Sequence, residues 1–290
     1  MTFDSSGRPQ AVKMRLLAAR RVLEGAGIAD ARLEAEMLLA AALGISRRQL
    51  LVETDLFLSE EQEQRFQDWL QRRLDGEPVA YLEGWQGFYG LEFEVNRHVL
   101  IPRADSECLV DAALEHLPTD SSSTIADLGT GSGCLLQATL HNRPQCKGLA
   151  VDLSAQALGL AQRNAQRLGL QSRIQFLRSS WLDGLSENSL QLILCNPPYV
   201  HPSEPLGPGV ADFEPPMALF TPHDDPYWEY RQVLKRAPSV LKSGGQLLFE
   251  VGFGRAADVI SLGADAGMEL VQVVKDLAGI DRLVQLQRAI

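Results

Sequence analysis

The sequence is short of several things, and each shortage narrows what the protein does. Cysteine occurs four times in 290 residues, at Cys108, Cys134, Cys146 and Cys195, with no CxxC pair and no histidine cluster nearby. That spacing argues against a zinc site or any other bound metal, and the apolar context of all four predicts buried free thiols in a reducing cytosol. No apolar run is long enough to span a bilayer. The opening MTFDSSGRPQ lacks the basic-then-apolar pattern of a secretion signal. A cytoplasmic protein with no membrane partner is therefore expected. Positive charge is also scarce: 27 Lys and Arg against 37 Asp and Glu leave a net charge of −10. Binding phosphate backbones needs a positive face, so no direct nucleic-acid partner is expected. Internal repeats are absent.

What is present reads as an ordinary globular chain, 45% hydrophobic and 22% charged, long enough for one large domain or two modest ones. Residues 1–83 read as a helical N-terminal domain. AVKMRLLAARRVLEGAG and DARLEAEMLLAAALG carry apolar residues at helical spacing, the second with Asp30 as N-cap and Gly44 as stop. SEEQEQRFQDWLQRRLDG opens with Ser59 and Gln62 in capping-box positions. The basic pairs at 47–48 and 72–73 read as solvated faces. Residues 84–103, around WQGFYGLEFEVNRHVLIPR, alternate aromatic and β-branched with polar residues and predict a β-hairpin linker.

Within residues 104–290, the pattern changes from Thr124 onward to strand–helix alternation. TIADL, CKGLAVD, IQFLRSS, LQLILCN and GQLLFEV read as strands. CLLQATLHN, SAQALGLAQRNAQRLG (capped by Ser154), PYWEYRQVLKRAPSVLK and RAADVISLGADAG read as the helices among them. ELVQVVKDL and RLVQLQR close the chain as an antiparallel pair. The alternation predicts an α/β fold with a mostly parallel sheet covered on both faces. Ligands then bind at the carboxyl ends of the strands.

Two motifs fall at those ends. DLGTGSG, Asp127 to Gly133, follows the first strand and opens a helix. Its glycines allow a tight turn and close approach to a ligand, yet it is neither the GxGxxG dinucleotide fingerprint nor a P-loop. Asp152 ends the second strand, where a carboxylate can accept both ribose hydroxyls. The loop spacing argues against NAD, and an acid at Asp127 suits a cofactor without a pyrophosphate. S-adenosylmethionine, with a ribose, an adenine and a cationic amino-acid end, fits better. Trp181 in RSSWLDG offers a flat face for adenine, or for the core; the sequence leaves both open.

The second motif is NPPY, Asn196 to Tyr199, after the strand LILC. Both prolines have a fixed φ and no N–H, so the turn is stiff. The Asn196 side-chain oxygen and the Pro197 carbonyl can each accept one N–H of a planar NH2 group, with Tyr199 offering a flat face. Such a grip aims the nitrogen lone pair at a methyl donor. Its task is geometry and charge stabilisation rather than prior deprotonation. A merely rigid turn is the competing reading, weakened by the glycine loop at the same sheet edge.

DLGTGSG together with NPPYV resembles class I S-adenosylmethionine-dependent methyltransferases of planar nitrogens. RRLDGEPVAYLEG, VLIPRADSECLV, FEPPMALF and KDLAGIDRLV are similar to the PrmC/HemK family along nearly the whole chain. The resemblance implies a Rossmann-like methyltransferase domain over 104–290 behind a substrate-docking N-terminal domain, and a monomer. It implies methylation at N5 of the glutamine in the Gly-Gly-Gln motif of class I peptide chain release factors. Gly129, Thr130, Gly131, Ser132 and Gly133 would cradle the cofactor with Asp127, Asp152 and Trp181. Asn196, Pro197, Pro198 and Tyr199 would hold the glutamine, with Asn196 also touching the cofactor. Arg103 of the IPR segment gets a supporting role, which a surface salt bridge explains as well.

Two departures stand out. Ser180 replaces the aspartate many relatives carry before the tryptophan. FTPHDDPYWEYRQV replaces a glycine-rich stretch and puts the shape of the substrate entrance in doubt. The rival readings are a glutamine methyltransferase of a large-subunit ribosomal protein, which YLEGWQGFYG, IPRADSE and KDLAGIDR disfavour, and a DNA adenine-N6 methyltransferase, which the net charge disfavours. A non-enzymatic scaffold would not need the glycine loop, Asp152 and NPPY together.

Overall fold

The computed structural model describes residues 12–53, 56–221 and 225–289; the leading MTFDSSGRPQ and Pro222–Asp224 of the departing stretch lie outside the described residues. The chain divides into two units, Met1–Gly84 with Gly207–Phe213, and Trp85–Leu206 with Glu214–Ile290.

The first unit is helical: α1 (Val12–Gly25), α2 (Ala31–Leu43), α3 (Arg47–Val52), α4 (Glu60–Leu74) and α5 (Val79–Glu83). Leu23, Leu38, Leu39 and Phe66 form its core and are essentially unexposed. Ser59 and Gln62 form the capping box that the sequence predicts for α4. Ser46 and Gln49 form another at α3, where the same S-x-x-Q spacing was legible but unread. Gly44 closes α2 in the left-handed region, its N–H donating to the Ala40 and Ala41 carbonyls. Asp30, the expected N-cap, makes no side-chain cap bond.

Of the two basic pairs, Arg48 is exposed as expected, while Arg47, Arg72 and Arg73 form ion pairs within the unit. Arg73 makes two hydrogen bonds to Glu34, and Arg72 makes two to Glu77. Arg47 and Arg32 share Glu36, which is 2% exposed. Ion pairing within the unit uses this charge because a carboxylate so deeply buried requires partners.

In the second unit, β1 (Trp85–Phe88) and β2 (Leu91–Glu94) form the expected hairpin. Tyr89 and Gly90, both at positive φ, turn it as two-residue hairpins require. Phe88 and Phe93 are buried in the core of this unit.

The sheet region runs α6 (Glu107–His116), β3 (Thr124–Leu128), α7 (Cys134–Asn142), β4 (Lys147–Asp152), α8 (Ala155–Arg167), β5 (Ile174–Arg178) and β6 (Leu190–Cys195). It continues with α9 (Val210–Phe213, part of the first unit), α10 (Pro216–Leu219), α11 (Trp228–Leu234), α12 (Ala237–Val240), β7 (Leu241–Glu250), α13 (Ala256–Asp265), β8 (Met268–Lys275) and β9 (Asp281–Arg288). The seven strands lie in the order β5-β4-β3-β6-β7-β9-β8. β3 to β7 are mutually parallel and β9 is antiparallel to both neighbours, as the sequence predicts.

Alternate strand residues feed two cores. Ile125, Leu192, Leu194 and Leu248 pack with Leu109 and Leu136 on one face. Ala126, Ile193, Cys195, Leu247 and Phe249 pack with Tyr230 and Val233 on the other. A strand buried on both faces reads as a continuous apolar run, which is why TIADL and LQLILC carry so little polarity.

One expected helix is two. PYWEYRQVLKRAPSVLK breaks into α11 and α12. Pro238 cannot donate to an earlier turn and takes a first-turn position in the second piece instead.

Candidate active site

Register across the sheet builds the site. Leu128 pairs with Val151 on one side and Cys195 on the other, and Cys195 pairs with Phe249. The next residue on each strand therefore stands in one row at the carboxyl edge: Gly129, Asp152, Asn196 and Glu250. Sequence reasoning placed the first three there. It missed the fourth, although FEV at the end of a buried strand puts a charge where apolar residues belong.

Gly129, Asp152 and Asn196 open on a cleft of about 1080 Å³, counting its open mouth. Gly129, Thr130, Gly131, Ser132, Asp152, Trp181, Asn196 and Pro198 line it, as do Arg103, Ser106 and Glu229. Asp127, Gly133, Pro197 and Tyr199 are not among the residues that line it.

The glycine loop takes its shape from its neighbours. Gly129, Gly131 and Gly133 all have positive φ. A Cβ on Gly133 would lie 2.2 Å from Gln137 Nε2 and 3.2 Å from the Ala161 Cβ, so α7 and α8 leave room for glycine alone. A Cβ on Gly129 would point toward Trp181 Cζ3 and the Asn196 carbonyl, at 3.7 and 3.9 Å, which shows how closely the two motifs approach. The Thr130 N–H donates to the Val151 carbonyl at 2.9 Å, and the Gly131 N–H donates to Asp152 Oδ2 at 3.0 Å. Asp152 Oδ1 accepts from the Ser154 N–H at 2.8 Å. Burial raises the Asp152 carboxyl while these backbone donors pull it down.

Asp127 is 1% exposed beneath the loop. Its Oδ2 accepts from the Thr130 hydroxyl at 2.7 Å, and its Oδ1 has no hydrogen-bond partner among the described residues. Burial lifts this carboxyl to about 7, against the opposing pull of the Thr130 hydroxyl and the Leu136 amide. A carboxyl raised on folding contributes stability that is fully present below its unfolded value and lost as pH rises through its folded value. Asp127→Asn, which removes the titration and keeps the shape, should therefore gain on wild type in urea midpoint as pH goes from about 4 to about 7. A midpoint difference that stays constant over that range would refute the assignment.

Trp181 sits at φ 45, an uncommon conformation for a bulky residue, and its indole N–H donates to Glu229 Oε2 at 2.9 Å. It joins the buried cluster around Tyr230 and also lines the cleft, so it serves as core and wall at once. Arg103 pairs with Glu214, a carboxylate 2% exposed that also accepts the Ile101 N–H at 3.0 Å. The salt bridge expected for Arg103 is thus present, with the arginine partly exposed and its carboxylate partner buried under the IPR segment's backbone bond.

The residues present suit S-adenosylmethionine. A positive-φ glycine cradle lies beside a carboxylate whose oxygens keep lone pairs beyond their backbone bonds, and an indole face lines the same cleft. The unpartnered buried oxygen of Asp127 leaves a free acceptor beneath the loop.

Comparison with known proteins agrees. A family model described as PrmC N-terminal domain matches residues 16–84, and one described as Methyltransferase small domain matches residues 108–206. The chain is 37% identical over 270 residues to the Release factor glutamine methyltransferase of Caulobacter vibrioides, covering 92% of this chain and 93% of that protein. It is 41% identical over 255 residues to the protein of the same name from Pseudomonas aeruginosa, covering 88% and 91%. Among solved structures it resembles a ribosomal protein L11 methylase from Lactobacillus delbrueckii subsp. bulgaricus, with TM-score 0.50 and 18% identity over 66% of this chain and 82% of that one, a likeness of fold. With a glycine loop, a strand-end aspartate and NPPY on one sheet edge and such identity over most of its length, the chain belongs to the release factor glutamine methyltransferase family.

Proposed function

We propose that this protein methylates the side-chain amide nitrogen, N5, of the glutamine in the Gly-Gly-Gln motif of class I release factors, with S-adenosylmethionine as methyl donor. The observation that carries the reading is the row Gly129, Asp152 and Asn196 at adjacent strand ends. It sets a cofactor cradle beside a rigid amide-accepting turn. The relatives' printed names supply the substrate class.

The cofactor brings an activated methyl group on a sulfonium; the chain does the rest by position. Gly129 to Gly133 and Asp152 hold the nucleoside end, and Trp181 forms a wall for the adenine. Asn196 Oδ1 and the Pro197 carbonyl each accept one N–H of the glutamine amide, which fixes the plane of the NH2 group. An amide nitrogen is a weak nucleophile because its lone pair is delocalised. A fixed near-attack geometry and acceptors that stabilise positive charge on nitrogen are then the main contributions available. Tyr199 stays a neutral phenol: burial, reinforced by the neighbouring Glu250, drives its pKa up. It packs over the turn and does not serve as a base.

The N-terminal helical unit, matched by its own family model, is assigned to docking the protein substrate. A glutamine within a folded factor needs more surface than a free amino acid would. No helix among the described residues is long and apolar enough to cross a membrane; the proposed release-factor substrate is what favours a cytoplasmic site for the reaction.

The test is transfer of labelled methyl to a purified release factor, beside a factor whose Gly-Gly-Gln glutamine is replaced by alanine. Label on the first and none on the second is the expected result. Label on neither, with cofactor binding intact, would move the substrate to a ribosomal protein or to DNA.

A further inference from the structure

The fourth residue of the strand-end row, Glu250, is charged, 3% exposed and unused by the chemistry so far. Its side chain collects two hydroxyls. Ser106 Oγ donates to Oε2 at 2.5 Å, and Tyr199 Oη donates to Oε1 at 3.3 Å. Ser106 is itself 4% exposed, in the short turn just after the IPR segment. Asn196 Nδ2 donates to Ser106 Oγ at 3.5 Å, the long end of hydrogen-bond range. The main chain of Glu250 is held as well, since its carbonyl accepts from the Tyr230 hydroxyl at 3.0 Å.

The two ends of an asparagine amide are told apart only by their partners. The Ser106 hydroxyl donates its single proton to Glu250 Oε2. The Ser106 oxygen then has only lone pairs left to offer, and the end of Asn196 that faces it must be the NH2 end. By exclusion Oδ1 faces away, as an acceptor. We infer that Ser106 and Glu250 are positioning residues that fix which way round the Asn196 amide stands, so that Oδ1 rather than Nδ2 meets the substrate amide. Glu250 sets the other half of the turn too, through the Tyr199 hydroxyl. Burial raises the Glu250 carboxyl above its usual value, against the opposing pull of the Ser106 and Tyr199 hydroxyls and the Arg282 guanidinium, while Asp105 adds to the rise. A flipped Asn196 would present N–H to N–H at the reacting nitrogen, and near-attack geometry would be lost without loss of the pocket.

This rests on the function proposed above, and the experiment separates the two. Steady-state methyl transfer to a release factor is measured for wild type, Ser106→Ala, Ser106→Thr and the isosteric Glu250→Gln, with cofactor affinity by titration. Ser106→Ala and Glu250→Gln should each lower kcat by about tenfold or more, with KM for the release factor within about threefold and cofactor Kd within about twofold. Ser106→Thr, which keeps the hydroxyl, should recover most of kcat. A Ser106→Ala enzyme within about threefold of wild-type kcat would overturn the inference, as would a threonine variant no better than alanine or a cofactor Kd that weakens in step with kcat. Transfer absent from wild type itself would overturn the functional reading and this one with it.

Discussion

Asn196→Ala is expected to reduce methyl transfer by roughly 10³-fold, close to abolition, while cofactor affinity stays within about twofold. The turn is held by features the substitution does not touch. Pro197 is buried, Pro197 and Pro198 have fixed φ, and Tyr199 is anchored on Glu250. The loss is therefore of one acceptor and of the orientation it imposes, not of the cleft. Removing one preorganised group that stabilises developing charge typically costs about 10²–10³ in kcat, and losing the amide's alignment adds to that. The check is single-turnover transfer of labelled methyl beside a cofactor titration on the same preparation. Turnover near wild type would take Asn196 out of the reacting centre.

Asp152→Ala should act on the other side of the cleft and weaken the cofactor. Its carboxylate anchors the loop through the Gly131 N–H and caps the following turn through the Ser154 N–H. It is also the acceptor placed for a ribose. Losing charge-assisted hydrogen bonds of about 1.5–3 kcal/mol predicts a Kd roughly 10- to 150-fold higher. Under saturating cofactor the kcat of this variant should recover toward wild type, the reverse of the Asn196 pattern. An unchanged titration would remove Asp152 from the ribose site.

Much of this site was legible before any coordinates because its chemistry lies in local motifs at strand ends. DLGTGSG announces itself by glycines that no packing argument requires, and NPPY by two prolines after a buried strand. The capping box at Ser59 and the hairpin turn at Gly90 were legible for the same reason: three or four adjacent residues carry the whole signal. The break at Pro238 could have been read from proline alone, but the aromatic helical pattern on either side masked it.

Other features could not be read at all. Ser106 and Asn196 are 90 residues apart, and Ser106 and Glu250 are 144 apart. Nothing in either segment signals that they meet. Arg103 looked like a surface charge until Glu214, 111 residues on, proved to be its buried partner. Arg47 and Arg73 looked solvated because their acidic partners, Glu36 and Glu34, lie on another helix. By itself the sequence determined the α/β class, the glycine-rich turn after the first strand, the carboxylate at the end of the second and the stiff proline turn, since each rests on backbone geometry that a few neighbouring residues dictate. The tertiary structure alone decided that Asp127 is buried beneath the glycine loop, that Trp181 leans on Glu229, and that Glu250 and Ser106 meet beside Asn196. Those outcomes depend on strand register and on burial, through which distant residues come into contact and a hydrogen bond gains its direction.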